Sequence, residues 1–158
     1  MYDFLFLGIY RKEFGELFNN IEYIGLYYLA SFLEKYNFTS KVYTGEKYGS
    51  FNLINNECKN AKIIGFYCDY DNQFEVKYLA NYLKTSYPNL IILIGGPQAI
   101  ALDKKFMIES KADIIVIGEG ELTVWELARY YLLSKGKLSE INGIRYILNN
   151  QLFETPKR

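Results

Sequence analysis

Histidine is absent from these 158 residues. Its absence removes the commonest general base and the commonest metal ligand, and with them a histidine-containing triad and most catalytic zinc sites. Cysteine is nearly absent too. Cys58 and Cys68 are the only two and lie too far apart for a CxxC pair, so they read as buried, reduced thiols. An excess of either charge is also lacking, since eighteen Lys and Arg balance eighteen Asp and Glu. That balance argues against a nucleic-acid surface, which needs a basic excess. No apolar run approaches the roughly 20 residues of a membrane span. Met1-Tyr2-Asp3 lacks the basic start of a signal peptide. These absences point to a cytoplasmic protein with no nucleic-acid partner, no membrane partner and no metal-ligating set of its own.

Half of the residues are hydrophobic, enough for a substantial core in one domain of ordinary size. Sixteen tyrosines and eleven phenylalanines are many for this length. Most suit the core or helix faces, and a few near glycine turns would line a pocket for a flat ligand. The segment Ile114-Ile115-Val116-Ile117 is a run of β-branched residues, read as a strand buried on both faces. It stops at Gly118-Glu119-Gly120-Glu121, where an amphipathic helix begins. A second buried strand, ending at Ile94, opens into Gly95-Gly96-Pro97-Gln98. Glycine at such turns lets backbone approach a ligand closely.

Read along the chain, the pattern alternates. Strands are expected over residues 2–7, 41–44, 63–67, 90–94 and 113–117, and helices over 21–36, 51–60, about 72–87, 99–110 and 122–135. Residues 9–21 and 45–50 read as loops, Ser50 as an N-cap, Asn37 as a helix stop, and Asp71 or Asn72 as the cap of the helix after the third strand. This alternation predicts an α/β fold with a doubly wound, parallel five-stranded sheet in the order 2-1-3-4-5. Residues 143–148, Asn149-Asn150 and 151–154 read as a two-residue β-hairpin at the sheet's edge or leading beyond it.

The carboxyl ends of strands one, three, four and five converge on one crevice. They bring Gly8 and Ile9, then Tyr67, Cys68 and Asp69, then Gly95 to Gln98, then Gly118 to Thr123. Each glycine alone is an ordinary turn residue; four such turns at one edge make a ligand site. Glu119 and Glu121 either compensate the dipole of the last helix or accept hydrogen bonds from ligand hydroxyls or amides. They do not form an acid–base pair, because nothing nearby supplies a nucleophile. A flavin mononucleotide site needs a hydroxyl-rich loop after strand one, where Gly8-Ile9-Tyr10-Arg11-Lys12 stands. A phosphorylated receiver needs an acidic pair there, and a dinucleotide site a GxGxxG; neither is present.

Four stretches carry a family resemblance: Ile24-Gly25-Leu26-Tyr27-Tyr28-Leu29-Ala30-Ser31-Phe32-Leu33-Glu34, Ile64-Gly65-Phe66, Gly95-Gly96-Pro97, and Gly118-Glu119-Gly120-Glu121-Leu122-Thr123. In this order and spacing they resemble the N-terminal cobalamin-binding domain of radical S-adenosylmethionine enzymes. That group includes the anaerobic magnesium-protoporphyrin IX monomethyl ester oxidative cyclases and cobalamin-dependent methylases. The likeness spans nearly the whole chain. It implies a flavodoxin-like, Rossmann-like sheet with cobalamin across the strands' carboxyl edge and its nucleotide tail buried beside the sheet.

By the resemblance, Gly95, Gly96, Pro97 and Gln98 border that tail, and Gly118, Glu119, Gly120, Glu121 and Thr123 form the adjacent turn. Gly8 lies at the same edge, and Tyr67, Cys68, Asp69 and Tyr70 lie beneath or beside the corrin. Two departures follow from the composition. Without histidine, the Asp-x-His-x-x-Gly ligation of cobalt in methionine-synthase and mutase domains is impossible; cobalamin is expected to bind base-off, with no protein histidine ligand. With two cysteines, the CxxxCxxC of the radical module is missing, so an iron–sulfur cluster and S-adenosylmethionine would belong to a C-terminal radical domain acting in cis or in trans. The resemblance divides the chain into a cobalamin-binding domain, 1–140, and a hairpin with the start of a linker, 141–158. It implies a module that is not catalytic alone, within a parent that is an oxidative cyclase or methyltransferase. Two other readings stay open at this point: a cofactor-free binding or interaction domain on the same fold, and a small transferase acting on a nucleotide.

Overall fold

The structure, a computed structural model, describes residues 1–10, 23–46 and 51–158. The first strand, β1 (Tyr2–Tyr10), is buried on both faces from Phe4 to Ile9. Phe4 and Phe6 point to one side, Leu5, Leu7 and Ile9 to the other, as the two-residue period of a strand requires. Around it lie β2 (Ser40–Glu46), β3 (Ala61–Tyr67), β4 (Ile91–Gly95) and β5 (Ile114–Val116), all parallel, followed by the antiparallel hairpin β6 (Ile144–Leu148) and β7 (Gln151–Glu154). The order is β2-β1-β3-β4-β5-β6-β7, so the predicted 2-1-3-4-5 sheet is present and the hairpin prolongs it to seven strands.

Helices cover both faces. α1 (Ile24–Glu34) and α5 (Glu121–Leu133) pack on the side of Phe4, Phe6, Leu93 and Val116. α2 (Phe51–Cys58), α3 (Gln73–Ser86) and α4 (Lys104–Ser110) belong to the other side, where Ile54, Leu79, Leu83 and Met107 meet Leu7, Ile64 and Ile94. No helix among the described residues is long and apolar enough to cross a membrane.

Several boundaries differ from the sequence pattern. β1 runs past residue 7 to Tyr10, because β2 continues beside it and keeps the ladder going: Gly8 pairs with Thr44, Ile9 with Gly45 and Tyr10 with Glu46. Gly8 therefore lies within a strand, not in a turn, and residues 45–46 are strand rather than loop. The expected helix over 99–110 is two pieces, a 3₁₀ segment (Pro97–Ala101) and α4. Asp103 separates them by capping α4, its carboxylate accepting from Phe106 N at 2.8 Å. Asn72 stands at the head of α3, but its side chain caps no helical N–H and is used elsewhere. Asn37 closes α1 with a φ of 62°. Asn149 and Asn150, at φ 50° and 62°, form the left-handed pair that a two-residue hairpin needs. The loop over 11–21, the start of the first helix at 21 and the Ser50 cap lie outside the described residues.

Candidate functional site

A cavity of about 200 Å³ lies between α1 and α5, over the carboxyl halves of the central strands. Its floor is buried hydrocarbon: Phe6, Leu93 and Val116 from the sheet, Leu26 from α1 and Val124 from α5. Half-buried Leu29 forms one wall. Gly65 sits in the floor opposite Phe6 and Leu93, and a Cβ on it would stand 2.6 Å from the Phe6 ring. Gly120, at the head of α5, would bring a Cβ to 3.1 Å from Leu29 Cδ2. Missing side chains on β3 and at the start of α5 thus set the cavity's width.

The mouth opens at the carboxyl edge and is lined by Tyr67, Gly95 and Gly96 on one side and Gly118, Glu119 and Glu121 on the other. Gly96 has φ 112°, and a Cβ there would fall 2.5 Å from the Cys68 carbonyl oxygen, so glycine is required. Gly118 has φ 82° with nothing within 4 Å of an added Cβ, so this turn leaves open space above the cleft. The polar side chains of the lining, Tyr67, Glu119 and Glu121, are all at the mouth. A neighbouring depression of about 460 Å³ shares Gly96, Gly118 and Glu119 and adds Pro97, Lys157 and Arg158. A wider one, about 640 Å³, lies at the opposite, amino edge around Lys62, Tyr87 and Tyr131, away from every glycine turn.

The residues singled out from the sequence therefore separate. Tyr67, Gly95, Gly96, Gly118, Glu119, Gly120 and Glu121 come together around one opening. Pro97 borders the adjoining depression, and Gln98 closes the turn by donating its N–H to the Cys68 carbonyl at 3.2 Å. Cys68 is buried on the far face of the sheet. Burial first, and the Asp69 charge second, push its thiol up to about 12. Asp69 folds its own loop, its carboxylate accepting from Asp71 N at 3.0 Å and Asn72 N at 2.9 Å. Gly8 lies under the ring of Tyr23, where a Cβ would be 2.2 Å from Cδ2. Thr123 is fully buried and faces the lead-in to β6, its hydroxyl donating to Asn142 O at 3.1 Å and accepting from Arg158 Nε at 3.2 Å.

Two further features shape the edge. Asn72, 2% exposed, donates to Ile9 O at 2.9 Å and Tyr67 O at 3.1 Å, and accepts from Asp69 N at 2.9 Å. It ties the ends of β1 and β3 to the loop between β3 and α3. Tyr23 packs on Tyr67 with ring centroids 4.6 Å apart and donates its hydroxyl to Ile9 O at 3.2 Å. Burial, then the nearby Asp69 charge, hold the Tyr23 phenol well above the usual range. The floor residues Phe6, Leu26, Leu29, Leu93, Val116 and Val124 were not legible as a site, since each reads as ordinary core. Gly65 carried the available signal: a lone glycine inside a strand marks close approach. Among the described residues no cluster of His, Cys, Asp and Glu can hold a metal ion.

No known family model and no curated protein matches the chain. Solved structures do. The radical S-adenosylmethionine methyltransferase TsrM from Kitasatospora setae, with cobalamin and a [4Fe-4S] cluster bound, matches with a TM-score of 0.75 and 14% identity, over 99% of this chain and 29% of that one. The cobalamin-dependent S-adenosylmethionine radical enzyme OxsB, with aqua-cobalamin bound, matches with a TM-score of 0.76 and 23% identity, over 99% of this chain and 22% of that one. The chain thus has the fold of one segment of each, and spans less than a third of their length.

Proposed function

We propose that this chain is a cobalamin-binding module of a longer radical S-adenosylmethionine enzyme of the oxidative-cyclase or methylase type, and that it is not catalytic by itself. In this reading residues 1–140 bind the cofactor and the hairpin, 141–158, leads to a linker. The module is cytoplasmic, with no nucleic-acid or membrane partner. The observation that carries the reading is the apolar cavity between α1 and α5, opening onto glycine turns at the sheet's carboxyl edge. At about 200 Å³ it is smaller than the roughly 300–1,000 Å³ of a complete small-molecule site. It fits one flat ring system, with the remainder of the ligand resting outside on the edge. The fold shared with two enzymes that carry cobalamin supports it further.

Cobalamin, when bound, supplies a cobalt centre for methyl or electron transfer. The chain's own residues do the holding. Phe6, Leu29, Leu93 and Val124 enclose the ring of the nucleotide tail and exclude water. The glycines of the two turns let backbone lie against the ligand, with Pro97 and Gln98 flanking. Glu119 and Glu121 accept hydrogen bonds from the corrin's amide side chains, and Tyr67 and Tyr70 border its lower face. Cys68 stays a buried thiol and gives cobalt no ligand. With its base held in the cavity the cofactor would bind base-off, and with no histidine in the chain no imidazole would take the base's place on cobalt.

Titration with hydroxocobalamin followed by its visible spectrum tests binding. The expected result is a saturable spectral shift and co-elution of the corrin with the protein; neither appearing overturns the proposal. Electron paramagnetic resonance of the bound cobalt(II) form tests the mode. Nitrogen superhyperfine splitting would show a nitrogen still on cobalt and overturn base-off binding.

A further inference from the structure

Resting on that reading, we infer that the cavity between α1 and α5 selects among cobamides by their lower base, taking benzimidazole-type rings and rejecting purines. Satisfied and unsatisfied polar groups decide between the two kinds of base. Among the described residues, the buried side chains of the lining are those of Phe6, Leu26, Phe66, Leu93, Val116 and Val124, none of which carries a donor or acceptor. Gly65 presents backbone there, but it stands between Phe6 and Leu93 in parallel ladders on both sides, so its peptide groups are engaged in the sheet. The polar side chains Tyr67, Glu119 and Glu121 stand at the mouth, where Glu119 is exposed.

A dimethylbenzimidazole presents two methyl groups, a benzo ring and one ring nitrogen beyond the glycosidic one. Placing it on this floor buries hydrocarbon against hydrocarbon. Adenine presents three ring nitrogens beyond the glycosidic one, two more than the benzimidazole, and an amino group. On the same floor these lose water and gain no partner, and each buried unsatisfied group is costly. An apolar pocket cannot pair the polar atoms a ligand adds, and the discrimination this produces is moderate, up to about 100-fold. Its width is fixed where Gly120 faces Leu29 and where Gly65 faces Phe6.

The test compares three corrinoids on the full chain by visible-spectrum titration: hydroxocobalamin, the adenine-bearing cobamide, and cobinamide, which lacks the nucleotide tail. The adenine cobamide is expected to bind about 10- to 100-fold more weakly than hydroxocobalamin. The variant Leu29→Gln, confirmed as folded by circular dichroism, places an amide in the cavity wall. It is expected to shrink that ratio several-fold. Equal affinity for the two complete cobamides overturns the inference and leaves the cobalamin reading standing. A ratio unmoved by Leu29→Gln overturns the assignment of selectivity to this cavity. Failure of all three corrinoids to bind overturns the cobalamin reading, and the inference with it.

Discussion

At the scale of single residues, the buried thiols set an alkaline limit on stability. Burial, with the charges of Glu57 and Asp69 secondary, pushes Cys58 and Cys68 up to about 12 from an ordinary value near 9. In the pH window between those values the unfolded chain has released protons that the folded chain retains, so unfolding is favoured. The stability these groups contribute is full below about pH 9 and lost as the pH climbs toward 12. The Tyr23 and Tyr131 phenols, raised chiefly by burial, act in the same direction. Urea denaturation midpoints measured across that window should fall monotonically; a flat profile would contradict the burial of these groups. Gly96 makes a second residue-scale prediction. Its φ of 112° and the 2.5 Å approach of an added Cβ to the Cys68 carbonyl mean that Gly96→Ala strains the backbone. A loss of about 1–3 kcal/mol is expected in chemical denaturation. Gly118→Ala meets no neighbour within 4 Å, so its cost comes from φ alone and should be smaller.

At the scale of elements, one buried amide joins three pieces of chain. Asn72 bonds to β1 through Ile9 O, to β3 through Tyr67 O, and to the intervening loop through Asp69 N. Asn72→Ala removes all three bonds and leaves the Tyr67 carbonyl without that donor. A destabilisation of about 2–4 kcal/mol is expected, read from the shift in denaturation midpoint. A loss below 0.5 kcal/mol, on the order of a surface change, would mean that the edge is held by other contacts. The hairpin offers an independent check. Asn149 and Asn150 both adopt left-handed φ between β6 and β7. Asn150→Val places a β-branched residue there and should cost about 1–2 kcal/mol by the same measurement.

At the scale of the whole molecule, the chain is organised around one edge of one sheet. The cavity, the two glycine turns and the Asn72 junction all lie at the carboxyl ends of β1, β3, β4 and β5. The opposite edge is closed by interactions of a different kind: Lys84 donates to Asp113 and to Leu90 O, and Asp113 accepts from Ile92 N at 2.7 Å. With only two cysteines, both buried, the chain has too few thiolates for a [4Fe–4S] cluster. Anaerobic reconstitution with iron and sulfide should therefore leave no iron–sulfur absorption on the purified protein, whereas hydroxocobalamin should leave its own spectrum. The reverse outcome would reject the proposed division of labour between this chain and a radical domain.

Local pattern alone determined a good part of this. The β-branched run Ile114–Ile117 favours a strand buried on both faces, and the alternation of strands with helices made the parallel α/β sheet legible. The Asn-Asn turn was legible because few residues tolerate paired left-handed φ, and the glycine turns because so little else ends a buried strand. The length of β1 was not, since pairing with β2 carries the strand through Gly8 to Tyr10. Nor was the use of Thr123, Cys68 and Asp69, whose types suit a ligand but whose partners are Asn142, the core and the backbone of residues 71–72. The cavity itself belongs to tertiary structure. Phe6, Leu93 and Val124 are far apart in sequence and each reads as core. Only the packing of α1 and α5 over the sheet leaves their side chains short of filling the space between them.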